Sequence, residues 1–290
     1  MAKSKVKLSI IILSWNTREL LNQCLKSLEL GPEVEVIVVD NGSTDGSAQA
    51  VKKEFPGVKL IINKENLGFS KGNNEGIKRA QGDYIMLLNS DTLIKKGAIE
   101  KLINFLDEHS EIGIVGPKLL NQDGSPQSNC GRFPNLLVAL VMLFAEHWGA
   151  DNFVRCSPAK SGLADWLMGA AFMARKEVFE KIGGLDEQLF MYMEEVEWFY
   201  RSRKAGFLTY FFKEAEIIHL GRGSAKHGKK DPIINIYRGL LYFYRKHKNF
   251  PELFILRLML KTKAFLALII GHLKNDNYLK ETYGEALKIS

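Results

Sequence analysis

The N-terminal part of this chain predicts an α/β fold, a mostly parallel sheet flanked by helices. Two observations carry that expectation. Four short apolar runs, Leu8 to Leu13, Val34 to Val39, Val58 to Ile62 and Tyr84 to Leu88, alternate with segments of helical character. Strands joined through helices lie parallel, with right-handed crossovers. Three of the runs also stop in polar residues: Ser14, Trp15 and Asn16 after the first, Asp40 after the second, Asn89, Ser90 and Asp91 after the fourth. Open α/β sheets bind ligands outside those carboxyl ends.

In order along the chain, Leu8 to Leu13 reads as a buried strand. Asn16 or Thr17 caps a helix with Leu20, Leu21, Cys24, Leu25 and Leu28 on one face, and Gly31-Pro32 stops it. Val34 to Val39 is the second strand. The polar loop Asn41 to Ser47 leads into another helix, and Val58 to Ile62 is the third strand. Asn66 to Asn74, which holds Gly68 and Lys71, is a glycine-rich loop running into a helix through Ala80. Such a loop brings backbone N–H groups close to a ligand, because glycine has no Cβ in the way. Tyr84 to Leu88 is the fourth strand. Ile112 to Val115 makes another, and Lys118 to Asn135, rich in Asn, Gln, Gly and Pro, is expected to be a mobile loop. Leu136 to Phe144 is a core or interfacial helix, far shorter than the ~20 residues of a membrane span.

With 46% hydrophobic and 25% charged residues, the 290-residue chain has a globular composition, enough for one large domain or a domain with an appendage. Cys24, Cys130 and Cys156 form no CxxC pair and are odd in number, which suits free thiols in a reducing compartment. The apolar run behind the basic Met1 to Lys7 is too short for a signal peptide, so no secretion is expected. The net charge of +7 is uneven. Arg222 to Ser290 holds 14 Lys and Arg against 5 Asp and Glu, while the preceding residues sum to −2. The basic quarter therefore seeks an anionic partner.

The polar strand ends suggest the chemistry. Asp91 beside Asn89 suits a hard divalent cation, Mg2+ or Mn2+, which takes oxygen ligands and substrate phosphates. The same three residues are also ordinary turn formers. Asp40 can accept a hydrogen bond from a ribose hydroxyl or a base N–H. Asn16, Asp40 and Asp91 would line one crevice. No GxGxxG follows the first strand and no GxxxxGK[ST] occurs, which argues against a dinucleotide dehydrogenase and a P-loop NTPase.

The stretches SIIILSWN, VVDNGSTDGS and NLGFSKGNNEGIKRAQGDYIMLLNSDT, followed by DWLMGAAFMARKEVFEKIGGLDEQLFMYMEEVEWFYRSRKAGF, resemble a family 2 glycosyltransferase of the GT-A fold, in its rhamnosyltransferase-like branch. The resemblance runs from about Val6 to Ser224 and rests on the order and spacing of motifs that are weak singly. It implies a nucleotide-sugar donor and inversion at the anomeric carbon. Donor contacts fall on Ser14, Trp15, Asn16, Asp40, Asn66, Gly68, Lys71, Asn74, Asn89 and Ser90. Asp40 matches the nucleoside-contacting aspartate, and Asn89-Ser90-Asp91 the metal motif, with Asn in place of its first Asp. Trp15-Asn16 stands where many relatives have a tyrosine-asparagine pair.

The resemblance also assigns Glu195 as the general base, although as Glu where the family has Asp, with Glu194 orienting it or meeting the acceptor. Three acids here would equally suit a plain helix start, and Glu197 is expected to pair with Arg201 at i+4. Asp165, Trp166 and Gly169, before an apolar helix start, would face the acceptor; Trp166 in the core is the alternative. A lone histidine is more often structural, but His219 at this place would complete the metal shell, and Arg222 and Lys226 would meet the diphosphate.

The expected organisation is a glycosyltransferase domain, 1–228, with a donor half at 1–110 and an acceptor half at 111–228, then a basic helical appendage at 229–290. In that appendage Ile234 to His247 and Leu253 to Leu273 mix apolar and basic residues. The longest uncharged apolar run, Ala264 to Gly271, is too short to span a bilayer, so the helices are expected to lie at an anionic membrane surface. The expected partners are a nucleotide-sugar, dTDP-rhamnose before a UDP-hexose, and a saccharide or polyprenyl-linked glycan acceptor, at the cytoplasmic membrane face. No nucleic acid is expected, and a homodimer stays open. A non-catalytic sugar-binding protein with a decayed site is the competing class.

Overall fold

A computed structural model describes residues 5–29, 31–145, 151–221 and 230–290. The first half is β1 (Leu8–Ser14), α1 (Arg18–Ser27), β2 (Val34–Asp40), α2 (Ser47–Glu54), β3 (Lys59–Ile62), α3 (Gly68–Ile77) and β4 (Tyr84–Asn89). These strands lie in the order β3-β2-β1-β4, all parallel. The register sets Ser14 opposite Asp40, and Leu13 opposite Asn89, so the polar strand ends share one edge. Helices cover both faces of β1, and Ile10, Ile11 and Ile12 are wholly buried.

The glycines after residue 66 do not make a long loop. The helix begins at Gly68, and a Cβ on Gly72 or Gly76 would come within 2.4 Å of Leu13 or Ile11. Those glycines let α3 press against β1; only the 66–68 segment stays near the strand ends.

The second half continues with β5 (Thr92–Ile94), α4 (Ala98–Glu108), β6 (Ile112–Leu120), β7 (Cys130–Gly131), α5 (Leu136–Phe144), α6 (Asp151–Val154), β8 (Arg155–Cys156), β9 (Gly162–Ala164), β10 (Trp166–Leu167), β11 (Ala171–Arg175), α7 (Lys176–Ile182), α8 (Glu194–Lys204) and β12 (Leu208–His219). The main sheet runs on as β4-β11-β6-β12-β5, with β9 also on β12. β11 lies antiparallel to both its neighbours.

Two expectations are corrected here. The apolar segment after Gly169 is a strand and not a helix: Ala171, Phe172, Met173 and Ala174 are buried between β4 and β6, where only extended backbone completes the hydrogen-bond ladder. Residues 118–135 are not a bare loop either. β6 runs through Gly116 and Pro117 to Leu120, Asn129 is buried with its amide donating to Pro117 O at 2.7 Å, and β7 pairs with β8 and β10. The polar residues there satisfy buried backbone. All three cysteines are free thiols, although Cys130 and Cys156 are opposite each other across β7 and β8.

The C-terminal helices are α9 (Lys230–His247), α10 (Phe250–Leu273) and α11 (Asn277–Ile289). α9 joins the main core: Leu240, Phe243 and Tyr244 cluster with Trp198 and Phe199 of α8. Asn249 and Asp276 cap α10 and α11 through their side chains. α10 buries one stripe, Leu256, Leu260, Ala264, Ala267 and Gly271, and exposes Phe254, Leu258, Phe265 and Ile269 on other sides. Among the described residues no helix is long and apolar enough to cross a membrane.

Candidate active site

A cavity of about 90 Å³ opens at the carboxyl ends of β1 and β4, lined by Trp15, Asn41, Asn66, Gly68, Asn89 and Asp91, among others. A hydroxyl chain braces its floor: Ser14 to Thr17, then Thr17 to Ser90, each at 2.9 Å. Asp40 is buried beside it. One carboxylate oxygen accepts from the Ser43 N–H at 3.0 Å, and Oδ2 is buried with no hydrogen-bond partner among the described residues. A buried carboxylate oxygen left open costs free energy unless a ligand donor meets it, so Asp40 fits a ribose or base donor.

The predicted donor-site residues divide by what they touch. Asn16, at φ +52°, accepts from the Thr44 N–H at 2.8 Å and pins the loop after β2. Asn66 accepts from the Asn41 amide and the Gly68 N–H. Gly68, at φ +84°, has Phe190 2.5 Å from where its Cβ would be. Lys71 is exposed on α3. Asn74 is not brought to this cavity. Its amide donates to Leu185 O at 2.9 Å and its oxygen accepts from Leu185 N–H at 2.9 Å, tying α3 to the turn after α7. Asn41, Thr17 and Phe69 line the cavity without having been singled out. Asn41 belongs to the polar loop after β2, whose composition was the available signal.

The pairing of β12 with β5 sets His219 opposite Thr92, next to Asp91. His219 Nε2 lies 3.3 Å from Asp91 Oδ1, and its Nδ1 lies 2.7 Å from Gln127 Oε1. The Gln127 amide nitrogen donates to Asn121 Oδ1 and His219 O, so its oxygen must face the ring. Nδ1 therefore carries a proton, and Nε2 is turned toward the carboxylate. Metal-binding histidines are held in this way, with the remote N–H donated to a fixed oxygen. Asp91 and His219, with Asn89 at the same edge, fit a divalent cation. Among the described residues no three His, Cys, Asp or Glu side chains gather as a metal cage. Phosphate and water oxygens would have to complete the shell, as Mg2+ commonly accepts.

The acid cluster opens α8, after two successive left-handed residues, Tyr192 (φ +68°) and Met193 (φ +71°). Such conformations cost about 1–3 kcal/mol each and persist where the surroundings hold them. Glu194 is buried and Glu195 half-buried. Each has an Oε2 that is buried with no hydrogen-bond partner among the described residues. Burial first, then the charge of Glu195, pushes the Glu194 carboxyl well above the usual carboxylate range. Burial also raises Glu195, opposed by backbone N–H groups, including that of Gly169, and by the Arg155 cation. The pair thus tends to keep a proton, on Glu194 by preference. Glu197 is fully buried and points elsewhere: to Arg201 at 2.9 Å, as expected, and also to Lys246 at 2.8 Å and His247 at 3.0 Å on α9.

Glu195 lines a second cavity of about 360 Å³, with Trp166 in its wall. Gly169 stands between the two cavities. A Cβ there would lie 3.4 Å from Phe69 on the donor side and 3.7 Å from Glu195 Cβ. Trp166 is mostly buried, donates its indole N–H to Arg132 O at 2.9 Å and covers Gly131. Asp165 accepts from the Phe133 N–H at 3.0 Å and faces Arg203 at 3.6 Å, so it braces the wall and does not line the cavity. Arg222 and Lys226 lie outside the described residues.

Residues 9–183 match the family profile of glycosyl transferase family 2. The chain belongs to this family. Over 245 residues it is 29% identical to the N-acetylglucosaminyl-diphospho-decaprenol L-rhamnosyltransferase of Mycobacterium tuberculosis, covering 76% of this chain and 80% of that one. It is 28% identical to the low-salt glycan biosynthesis hexosyltransferase Agl10 of Haloferax volcanii over 201 residues, 68% of this chain and 62% of the relative. The crystal structure of residues 1–349 of Staphylococcus aureus TarS superposes with a TM-score of 0.57 at 17% identity, covering 98% of this chain and 80% of that one. The mixed, mostly parallel sheet flanked by helices is the GT-A fold.

Proposed function

We propose that this family 2 member is an inverting, metal-dependent glycosyltransferase of cell-surface glycan synthesis, with Glu195 as its base. The observation that carries this reading is the juxtaposition at Gly169. Phe69, which lines the Asp91 cavity, and Glu195, which lines the other, flank Gly169, so a donor and an acceptor would be held one residue apart. Asp40 would hold the nucleoside. Asp91, His219 and Asn89 would hold Mg2+ or Mn2+, which supplies charge stabilisation for a leaving diphosphate.

The acceptor hydroxyl oxygen forms the new bond to the anomeric carbon, and the bond from that carbon to the diphosphate oxygen breaks. The electron pair leaves with the diphosphate, and the hydroxyl proton passes to the Glu195 carboxylate. The protonated Glu194 beside it adds no second charge to repel the ionised base. By likeness to the mycobacterial relative, the donor is an activated rhamnose, dTDP-linked, before a UDP-hexose. The acceptor is a sugar on a polyprenyl diphosphate in preference to a free saccharide.

The outer side of α10 fits an anionic membrane surface. Phe254, Leu258, Phe265 and Ile269 are exposed together with Arg257 and Lys261, and no carboxylate follows Glu252 in the helix. An apolar face edged with cations lies in the headgroup layer, and each cation adds roughly 1 kcal/mol of attraction to anionic lipid. This would bring the enzyme to the cytoplasmic face, where a lipid-linked acceptor resides. Co-sedimentation with anionic and neutral vesicles tests it; binding indifferent to lipid charge and salt, or self-association through this face in ultracentrifugation, would remove the membrane reading.

The reading as a whole is tested by thermal shift with dTDP, UDP and GDP, with and without Mn2+. A ligand that binds only the folded state raises the melting temperature by mass action. One nucleoside diphosphate should stand out, and only with the metal. No shift with any of them would favour a protein with a decayed site.

A further inference from the structure

We propose that the cavity beside Glu195 is an isoprenoid-diphosphate site, in which Arg155 and Lys263 hold the acceptor's diphosphate and the aliphatic wall takes its first isoprene units. This rests on the reading of the chain as a glycosyltransferase with Glu195 as base, and names the part of the acceptor that the C-terminal helices would recognise.

The wall chemistry argues for a lipid. Met142 and Leu143 of α5, and Ile233 and Ile236 of α9, supply aliphatic surface. A sugar ring needs many directed hydrogen-bond partners, and these side chains have none to offer. At about 360 Å³ the cavity is within the range of ligand sites, roughly 300–1,000 Å³. The charges argue for a diphosphate. Arg155 on β8 and Lys263 on α10 both line the cavity, and among the described residues Glu195 is the only acid lining it. A guanidinium binds phosphate oxygens through two parallel N–H bonds, and an ammonium adds a point charge.

Connectivity argues for a molecule that is both. Lys263 comes from α10, the helix whose other side exposes Phe254, Leu258, Phe265 and Ile269. Glu195 lines the same cavity and neighbours Gly169. An acceptor of the form sugar–diphosphate–lipid carries a hydroxyl for Glu195, charges for the two cations and a chain for the aliphatic wall. The nucleotide's own diphosphate belongs to the Asp91 side, so the two anions do not compete for one set of cations.

The test is isothermal titration of the full chain in EDTA, which removes any metal from the Asp91 side, with farnesyl diphosphate, inorganic diphosphate and farnesol. Farnesyl diphosphate should bind at least tenfold tighter than either fragment. Each cation is expected to be worth about tenfold, so an Arg155→Gln, Lys263→Gln double variant should bind about 100-fold more weakly. Its binding of a nucleoside diphosphate with Mn2+ should not change. Ile236→Trp, which fills the cavity, should also block farnesyl diphosphate. Farnesyl diphosphate binding no tighter than inorganic diphosphate, or equal binding by a folded double variant, overturns the site. If the double variant does not fold, the comparison of the three probes on the wild-type chain decides alone. A wild-type chain that binds farnesyl diphosphate but no nucleotide would leave this site standing and remove the glycosyltransferase reading instead.

Discussion

His219 Nε2 faces Asp91 Oδ1 at 3.3 Å, with the far side of the ring held by Gln127 at 2.7 Å. Three chain segments meet there: the turn after β4, the end of β12, and the 121–129 stretch. The ring's orientation is thus set before any cation arrives, which lowers the ordering cost of binding one.

Removing Asp91 should therefore abolish transfer while leaving the fold intact. Gln127→Leu should do something milder. It frees the ring and its tautomer, and loss of such a partner costs about 10–100-fold in metal affinity. Activity should return at high Mn2+ in Gln127→Leu and not in Asp91→Ala. A metal titration of initial rates separates the two, and full activity of Asp91→Ala in EDTA would sink the metal assignment.

Glu195→Gln keeps the shape and removes the proposed base. A general base contributes about 10²–10⁴-fold, so kcat should fall by that much with nucleotide binding unchanged. Because burial raises the carboxyl, the wild-type rate should climb with pH through a range above that of a free carboxylate, as the base ionises. That limb of the pH profile should vanish in the Gln variant. Were Glu194→Gln the dead variant and Glu195→Gln active, the roles would be exchanged.

Glu194 makes a distinct prediction for stability. Its carboxyl is raised in the folded state, so the fold is fully stable with respect to it below the unfolded value, ~4.3. Stability is then lost as pH rises through the folded value, because ionisation leaves a charge in a buried place. Glu194→Gln cannot ionise. Its melting temperature should match the wild type near pH 4 and exceed it at pH 8, by a gap that widens with pH. A gap that is constant, or reversed, would remove this account.

Glu197 sits in the same helix turn with a different fate. It is fully buried against Arg201, Lys246 and His247, and so ties α9 to α8. Breaking a buried ion cluster from the acid side costs about 3–5 kcal/mol. Lys246 keeps 35% of its side chain exposed, which lets water take over its charge and puts Glu197→Ala at the low end. Lys246→Ala should cost about 1 kcal/mol or less. Chemical denaturation of the two variants gives the comparison.

How much of this was legible in the sequence depends on how local each signal was. β1, β2 and β4 are apolar on both faces, so their runs stand out and their polar ends mark the site. Glu197 to Arg201 was legible because i to i+4 spacing is local. β11 reads as a helix start because its four buried residues carry no period that separates strand from helix. Residues 118–135 were misjudged because Asn129 and Gln127 look like loop residues until Pro117 O and His219 O are there to receive them. Asn74 was drawn to the donor site by its glycine-rich surroundings. Its partner, Leu185, is distant in sequence and no local pattern announces it.

The strained turn before Glu194 and Glu195 is held from outside. Tyr192 and Met193 are both left-handed, and Gly239 of α9 packs directly on them. A Cβ on Gly239 would lie 2.7 Å from Met193 Cβ and Cγ and 3.3 Å from Tyr192 O. By helix propensity alone, Gly239→Ala should stabilise α9 by about 1 kcal/mol. The contact opposes that gain, since overpacking costs typically 1–3 kcal/mol. The shift would be passed to Glu194 and Glu195, the next residues in the chain, and a misplacement of about 1 Å can lower the rate roughly 100-fold. Gly239→Ala should thus lose kcat without losing nucleotide binding. Gly284→Ala in α11 is the control, because its Cβ meets nothing closer than 4.0 Å. It should gain up to about 1 kcal/mol and keep full activity. If both variants are stabilised and both stay active, α9 does not hold the turn, and the position of Glu195 owes nothing to the C-terminal helices.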